Sequence, residues 1–327
     1  MSRCLPGIDP PTHANLRSVY TGRVGIIPPV RFAVIDVGSN SVRLEIACGA
    51  EGVLKSVYGD RVVTRLAGAD GDLAPDSIDA TVDAIRRMLL TVKKHDVRSL
   101  RIVATAAVRA ASNAHELVDR VLAATGCGIE VLSERVEAEA VLRSVMHGPG
   151  SEAAEVVAID VGGGSSEIIT ARDGKVVHVA SMPLGAVNLA VRYEQADVID
   201  ATTHAAMRME IRTSLARWIP DAPAPGLRGF AAGGTFTTIA GVLGHPHGAM
   251  EGAVVTRQQV HSISARLSSL DADGRSDLRG VGRERSGIIV AGVTLADMIM
   301  SALELDLVHI HEGGVGRGIL LEMAALG

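Results

Sequence analysis

The fold is decided by one stretch of the chain, residues 156–167, which read VVAIDVGGGSSE. The run of apolar, mostly β-branched residues predicts a buried strand. The three glycines predict a turn whose backbone comes close to another group, and without Cβ atoms its N–H groups can form a cradle for phosphate oxygens. Asp160, at the mouth of that cradle, can hold a divalent cation, or a water on one. Taken alone, the stretch fits a hairpin turn with a capping Asp equally well.

A second copy of the stretch, residues 32–41 with the sequence FAVIDVGSNS, lies 124 positions earlier. Identical residues occupy the aligned positions Ile35/Ile159, Asp36/Asp160, Val37/Val161, Gly38/Gly162 and Ser41/Ser165. A strand–turn–strand unit repeated at this spacing implies two related domains. Two phosphate-binding turns that face each other would form a cleft.

Composition excludes several classes of protein. The chain has 327 residues, 47% of them hydrophobic and 21% charged, which is enough for two domains with real cores. Aromatic residues make up 2% and the net charge is −5, so a nucleic-acid-binding surface is not expected. No apolar run is long enough to span a membrane. The most apolar segment, residues 287–303, contains Asp297 and predicts a buried helix.

The order of the elements predicts an α/β protein. Residues 1–30, rich in Pro, read as a flexible extension. Strands alternating with helices predict domain I over residues 31–148 and domain II over residues 149–315, with a C-terminal helix, 316–327, packed on domain I. Gly148-Pro149-Gly150 is the expected linker. Longer helices are expected over residues 197–218 and 284–303. Three cysteines without metal spacing indicate a reducing, cytoplasmic location.

Several motifs, in order, resemble the exopolyphosphatase/guanosine pentaphosphate phosphatase family. They are DVGSNS at 36–41, TRLAG at 64–68, ATAAVR at 104–109, DVGGGSSE at 160–167, SMPLGAV at 181–187, GGT at 233–235 and GGVGRG at 313–318. The resemblance runs from about Arg31 to the end of the chain and is to the shorter members, which lack a C-terminal HD-type region. It implies the actin-like ATPase fold, with two ribonuclease-H-like domains around a cleft.

The resemblance also implies an activity. We expect a metal-dependent exopolyphosphatase that releases terminal orthophosphate by direct attack of water, with Mg²⁺ or another divalent cation as cofactor. Guanosine pentaphosphate is the alternative substrate, because both substrates present a terminal phosphoanhydride. A small-molecule kinase of the same fold and a non-enzymatic sensor of polyphosphate or alarmones remain as alternatives of other classes. The resemblance and the apolar helices of domain II suggest a homodimer.

Roles for individual residues follow from the family motifs and from the chemistry of phosphate. Glu137 matches the proposed catalytic base, with Glu134 and Glu139 as nearby alternatives, and Arg109 matches a phosphate clamp. Asp36, Asp160 and Glu167 are the expected metal residues. The expected hydrogen-bond donors to phosphate are Ser39, Asn40, Ser41, Gly162, Gly163, Gly164, Ser165 and Ser166. Three interpretations fit the remaining motif, Gly233, Gly234 and Thr235: contact with phosphate, closure of the cleft floor, or a plain turn.

Histidine pairs occur twice, as His245/His247 and His309/His311. Neither pair has a third ligand at a suitable spacing, so we expect no metal site at either. No Cys/His or Ser/His/Asp arrangement supports covalent catalysis.

Overall fold

The computed structural model describes residues 30–50, 53–66, 71–149, 155–193, 198–219, 227–246 and 248–326. The strands are β1 Val30–Val37, β2 Ser41–Ala50, β3 Val53–Val63, β4 Ser99–Ala104, β5 Glu130–Val131, β6 Glu155–Val161, β7 Ser166–Arg172, β8 Lys175–Met182, β9 Arg228–Ala232, β10 Val254–Thr256 and β11 Leu307–Ile310. The helices are α1 Pro75–Lys94, α2 Ala106–Ala110, α3 Ala114–Thr125, α4 Glu134–Met146, α5 Ala186–Arg192, α6 Ala201–Trp218, α7 Gly233–Val242, α8 Arg257–Ser268, α9 Ala272–Ser276, α10 Ile289–Ala302 and α11 Val315–Leu326.

The strands form two mixed sheets with matching topology. The first has the order β3-β2-β1-β4-β5, with β1, β2 and β3 antiparallel and β4 and β5 parallel to β1. The second has the order β10-β11-β9-β6-β7-β8, in which β6, β7, β8, β9 and β11 repeat the same directions and β10 is added at the edge. This repeated topology confirms the predicted α/β architecture, the duplication and the actin-like ATPase fold.

Each central strand is buried on both faces, which explains its uninterrupted apolar sequence. Alternate residues of β1 pack on opposite faces of the sheet. Ile35 joins a cluster with residues of α1 and α3, whereas Val34 joins a cluster with residues of α4 and α11. In β6, Ile159 joins the large core beneath α6, α8 and α10, whereas Ala158 joins the same cluster as Val34. The middle cluster therefore belongs to both sheets and joins them into one body.

The helices α4 and α11 occupy the space between the two sheets. Leu142 of α4 and Ile319 of α11 are buried in the shared cluster. On the rim of this layer, Glu322 accepts from Arg143 at 2.9 Å and from Arg101 at 3.2 Å. The expected packing of the C-terminal helix against the first sheet is observed. The boundary at residues 148/149 stays a prediction, because α4 and α11 contribute to a core that both sheets share.

Several predicted boundaries differ from the structure. The helix expected over residues 284–303 begins only at Ile289, because residues before it form turns that carry Arg285 to the cleft. The helix expected from residue 197 begins at Ala201, with Asp200 as its N-cap. Val30 already belongs to β1, and the rest of the expected N-terminal extension lies outside the described residues. Among the described helices, none has the length and hydropathy needed to cross a membrane.

Packing between α11 and α4 gives a test of the shared core. A Cβ added to Gly318 would collide with the backbone carbonyl of Ala140, whereas one added to Gly316 would lie 3.8 Å from Val34 Cγ1, an ordinary contact. We expect Gly318→Ala to lower the free energy of unfolding by about 1–3 kcal/mol, because the two helices must move apart. Gly316→Ala, in the same helix, is the control and should stay within about 1 kcal/mol of the unmodified chain. Chemical denaturation measures both, and equal stability of the two variants would contradict this packing.

Candidate active site

A cavity of about 1100 Å³ opens between the two sheets, at the ends of β1 and β6. Most of the residues predicted from sequence line it: Asp36, Ser39, Asn40, Ser41, Glu137, Asp160, Gly162, Gly163, Ser165, Glu167, Gly233, Gly234 and Thr235. Arg109, Gly164 and Ser166 are not among its lining residues. The repeated turns thus meet at one cavity, as the duplication predicted.

The two glycine turns have the same internal hydrogen bond. Gly38 N–H donates to the Ser41 carbonyl at 3.1 Å, and Gly162 N–H donates to the Ser165 carbonyl at 3.0 Å. The turns also pack against each other, because a Cβ on Gly164 would lie only 2.7 Å from Ser39 Oγ. The close approach expected of these glycines therefore includes contact between the two domains, and Gly164 belongs to that contact rather than to the cavity wall.

Strand alternation separates Ser166 from the cavity. Glu167 lies directly opposite Asp160 in the β6–β7 pair, so the two side chains share a face. Ser166 precedes Glu167 and points to the other face, where it is fully buried. Within the described part of the chain, its hydroxyl has no hydrogen-bond partner. The structure thus places the Ser166 hydroxyl away from the cavity lining, and its predicted contact with phosphate stays a prediction that this position does not favour.

Four carboxyl groups converge on the cavity, and burial raises the pKa of each. The pKa of Asp36 rises to about 6, mainly because burial penalises its charged form, with nearby Asp160 adding to the rise and Arg43 opposing it. Burial likewise raises the pKa of Asp160, and it raises that of Glu167 well above its ordinary value, with help from Glu137 and Asp160. One oxygen of Asp36, Oδ1, is buried without a hydrogen-bond partner among the described residues.

Glu137 is distinguished from its sequence neighbours by burial. It lies in the first turn of α4, which the Ser133 side chain caps by accepting from the backbone N–H of Val136, and only 5% of the Glu137 surface is exposed. Glu134 is exposed and Glu139 pairs with Arg135 at 2.8 Å on the helix surface. Of the three acids considered for the catalytic base, Glu137 alone is a lining residue of the cavity.

Arg109 contacts Glu137 rather than the open cavity. Its Nη1 donates to Glu137 Oε2 at 2.7 Å and to the Leu132 carbonyl at 2.8 Å. Burial raises the pKa of Glu137 to about 7, against the lowering effect of Arg109. Nη1 of Arg109 is thus engaged by Glu137 and by the backbone, and the role of Arg109 as a phosphate clamp stays a prediction.

Three arginines that the sequence motifs did not identify also line the cavity: Arg43, Arg61 and Arg285. Arg43 lies opposite Asp36 in the β1–β2 pair. The pKa of Arg285 falls to about 9, first because of burial and then because of repulsion from Arg61 and Arg43. Its guanidinium packs against Gly234, where a Cβ would overlap it. Gly233, with φ of +84°, similarly leaves room for Asp160. The alternation of β2 could have revealed Arg43, whereas no local signal placed Arg61 or Arg285.

His311, like these three arginines, lines the cavity and had no role assigned from the sequence. Its Nδ1 lies 2.8 Å from Glu251 Oε1 and its Nε2 lies 2.7 Å from Ser144 Oγ. The contact with Ser144 connects His311, the residue after β11, to α4 on the other side of the cavity. Each ring nitrogen is thus hydrogen-bonded to a protein side chain.

The donor set of the cavity fits a hydrated divalent cation. Among the described residues, no three His, Cys, Asp or Glu side chains are grouped closely enough to hold a metal by themselves. Asp36, Asp160 and Glu167 nevertheless bring carboxylate oxygens, the ligands that Mg²⁺ prefers, to one cavity. The unpartnered Asp36 Oδ1 leaves a free acceptor there. Mg²⁺ usually keeps several waters, so ligation through water suits this spacing.

The sequence of residues 45–326 matches the model of the Ppx/GppA phosphatase family. The chain belongs to this family of phosphatases. The Ppx/GppA match begins within β2 and ends in α11, so it includes the second sheet and α4 but not β1 or the first glycine turn.

Relatives of this Ppx/GppA protein include exopolyphosphatase 1 of Mycobacterium tuberculosis, which is 28% identical over 302 residues, 89% of this chain and 88% of that protein. The Mycobacterium leprae exopolyphosphatase 1 is 26% identical over the same number of residues, 89% of each chain. A crystal structure of the Aquifex aeolicus Ppx/GppA family member aligns with a TM-score of 0.77 and 27% identity, covering 91% of this chain and 99% of that one.

Burial of the Asp36 carboxylate predicts a dependence of stability on pH. Its pKa is raised in the folded protein to about 6, from an ordinary value of 3.8, so the charged form destabilises the metal-free fold above pH 6. We expect Asp36→Asn to raise the free energy of unfolding by at most about 3 kcal/mol at pH 8 without divalent cations. The gain should disappear below about pH 4, where both forms of the protein hold a neutral group.

Thermal and chemical denaturation at pH 8 and pH 4 would check this prediction. Asp119→Asn removes an exposed carboxylate from α3 and is the control. If Asp36→Asn were destabilising at pH 8 relative to Asp119→Asn, burial of an uncompensated charge would not be the dominant effect.

Proposed function

We propose that this Ppx/GppA protein is a metal-dependent exopolyphosphatase, which releases orthophosphate from the end of inorganic polyphosphate by direct attack of water. The observation that carries the proposal is the position of Glu137, a buried carboxylate supported by Arg109 and facing the same cavity as both glycine turns. A general base works best when its pKa lies near the working pH, and the pKa of Glu137 is about 7.

Recognition of the phosphate chain is assigned to the turns and the arginines. The backbone N–H group of Gly163, with Gly162, Ser39, Asn40, Ser41 and Ser165 beside it, would donate to the oxygens of the terminal phosphate. Arg43, Arg61 and Arg285 would contact the following phosphates, because guanidinium groups give planar, paired hydrogen bonds to phosphate. Repulsion among these arginines favours binding of a polyanion between them.

A divalent cation would be held by Asp36, Asp160 and Glu167, directly or through water. When bound, it would neutralise negative charge on the phosphate and on these acids. Burial raises the pKa values of these acids in the protein alone, and the charge of a bound cation would oppose that rise.

Glu137 would accept a proton from the attacking water. The water oxygen forms a bond to the terminal phosphorus, and the bond between that phosphorus and the bridging oxygen breaks. The products are orthophosphate and a chain that is one phosphate shorter, with the bridging oxygen remaining on the chain. Arg109 holds the carboxylate in place and keeps part of it ionised at neutral pH.

Guanosine pentaphosphate is the second candidate substrate, since it presents the same type of bond. Two observations favour polyphosphate. The relatives named above are exopolyphosphatases. Among the described residues that line the cavity there is no Phe, Tyr or Trp on which a guanine could stack. A small-molecule kinase would also use a base, but it needs an adenosine pocket, and no aromatic residue among the described lining residues offers a stacking surface for adenine. A non-enzymatic sensor is less well supported, because it requires no base beside the terminal-phosphate site.

Phosphate release tests the proposal directly. With Mg²⁺, the intact chain should release orthophosphate from polyphosphates of defined length faster than from guanosine pentaphosphate, and EDTA should abolish release. Glu137→Gln should lower kcat by about 10²–10⁴-fold with a small change in KM, because the base is lost and the binding groups remain. Glu134→Gln, an exposed acid in the same helical turn, is the control. Full turnover by Glu137→Gln would rule out this assignment of the base.

Removal of Arg109 should change the pH profile as well as the rate. Arg109 lowers the pKa of Glu137 through a hydrogen bond and through its charge. In Arg109→Met, the rise of kcat/KM with pH should therefore move to higher pH, and in Arg109→Lys it should move less. Arg98→Met, which changes an exposed arginine just before β4, should leave the profile unchanged. A lower rate with an unchanged pH profile would contradict a positioning role for Arg109.

A further inference from the structure

A second cavity lies in domain II, away from the cleft. Its volume is about 630 Å³, and it is walled by α6, α8 and α10. Three arginines line it: Arg208 and Arg212 from α6 and Arg257 from the start of α8. Leu215, Ile219 and Met298 provide an apolar floor. A cavity of this size with convergent polar groups is typical of a small-ligand site.

One wall of this second cavity, called the groove below, depends on Asp297, the acid in the otherwise apolar α10. Asp297 is 5% exposed and sits in a helix whose residues 289–300 are all buried. Its Oδ2 lies 3.1 Å from His261 Nδ1 and 3.6 Å from Arg208 Nη1. Burying a carboxylate is costly unless it is paired, so Asp297 holds these two side chains at the groove.

The charge of the groove is positive. Its three arginines and one aspartate leave two positive charges before any protonation of His261, in a chain whose net charge is −5. Within the described ranges, neither Arg212 nor Arg257 has a carboxylate within 4.0 Å, and Arg257 reaches only the Ser301 hydroxyl at 3.4 Å. Guanidinium groups above an apolar floor bind phosphate strongly, because the local dielectric constant is lower than that of water.

The groove is separate from the cleft. Ile288, which precedes α10, lines the cleft, whereas Ser301 at the other end of the helix lines the groove. Thirteen residues of helix correspond to roughly 20 Å. A phosphate bound in the groove would thus not contact the acids of the cleft.

We propose that this groove is a second anion-binding site, which takes the phosphate groups of a small oligophosphate or nucleotide and does not take part in hydrolysis. Arg212 and Arg257 would contact the phosphates, and Asp297 would hold Arg208 and His261 in place beside them.

The test counts bound anions by isothermal titration calorimetry. The full-length Glu137→Gln chain in EDTA is titrated with tripolyphosphate, so that turnover does not consume the probe. We expect Arg212→Ala/Arg257→Ala in this chain to lose one binding equivalent, or to weaken one by at least tenfold. The control is Arg217→Ala/Arg266→Ala, which removes two exposed arginines from the same two helices outside the groove and should keep every equivalent.

The outcomes separate this proposal from the function of the cleft. Loss of an equivalent in the groove variant alone supports the site even if the cleft binds no probe. The same number of equivalents with unchanged affinities in the groove variant, or an equal effect in the control, would overturn it. Repeating the titration with GTP assigns the source of the phosphate: tighter binding than tripolyphosphate indicates a nucleotide, and equal binding indicates an inorganic chain.

Discussion

Burial of four carboxyl groups around one cavity is the constraint on which the arrangement of the site depends. Asp36 and Asp160 are fixed at the ends of the two central strands, and Glu167 is paired across the sheet with Asp160. Glu137 enters from α4, in the layer that joins the sheets. None of these groups can move away from the others without disturbing a core strand or that layer. Their mutual repulsion is therefore retained in the fold, and it creates a preference for positive charge in the cavity.

The two copies of the strand–turn–strand unit share the same turn but differ in charge on the strand that follows it. Both turns keep the same hydrogen bond, from Gly38 to Ser41 and from Gly162 to Ser165. The strand that follows each turn differs in charge at the equivalent position: Arg43 lies opposite Asp36, whereas Glu167 lies opposite Asp160. The first sheet thus carries an acid beside a cation, and the second carries two acids. Because of this asymmetry, the two sides of the cavity differ in charge, which they would not do if the same residues followed both turns.

Much of this site could be predicted from sequence, because its parts are local. The repeated strand–turn units identify Asp36 and Asp160, and the motif at the start of α4 identifies Glu137. Strand alternation alone would also have separated Glu167 from Ser166. Arg61 and Arg285 could not be found in this way, because they reach the cavity from distant segments of the chain. Arg285 lies in turns before α10 that the apolar pattern had assigned to the helix itself.

The acids and the arginines together restrict the kinds of ligand that fit the cavity more than either group does alone. A cation alone would satisfy the acids and leave the crowded arginines unpaired, so the pKa of Arg285 would stay low. A polyanion alone would satisfy the arginines and add repulsion to the acids. A complex of a divalent cation with a phosphate chain carries both charges. Its cation can lie beside the acids and its phosphates beside the arginines. Both halves of the molecule contribute acids and arginines: Asp36 and Arg43 lie in the first sheet, whereas Asp160 and Glu167 lie in the second. Such a ligand would therefore contact both halves at once, and its binding would stabilise their contact through electrostatics.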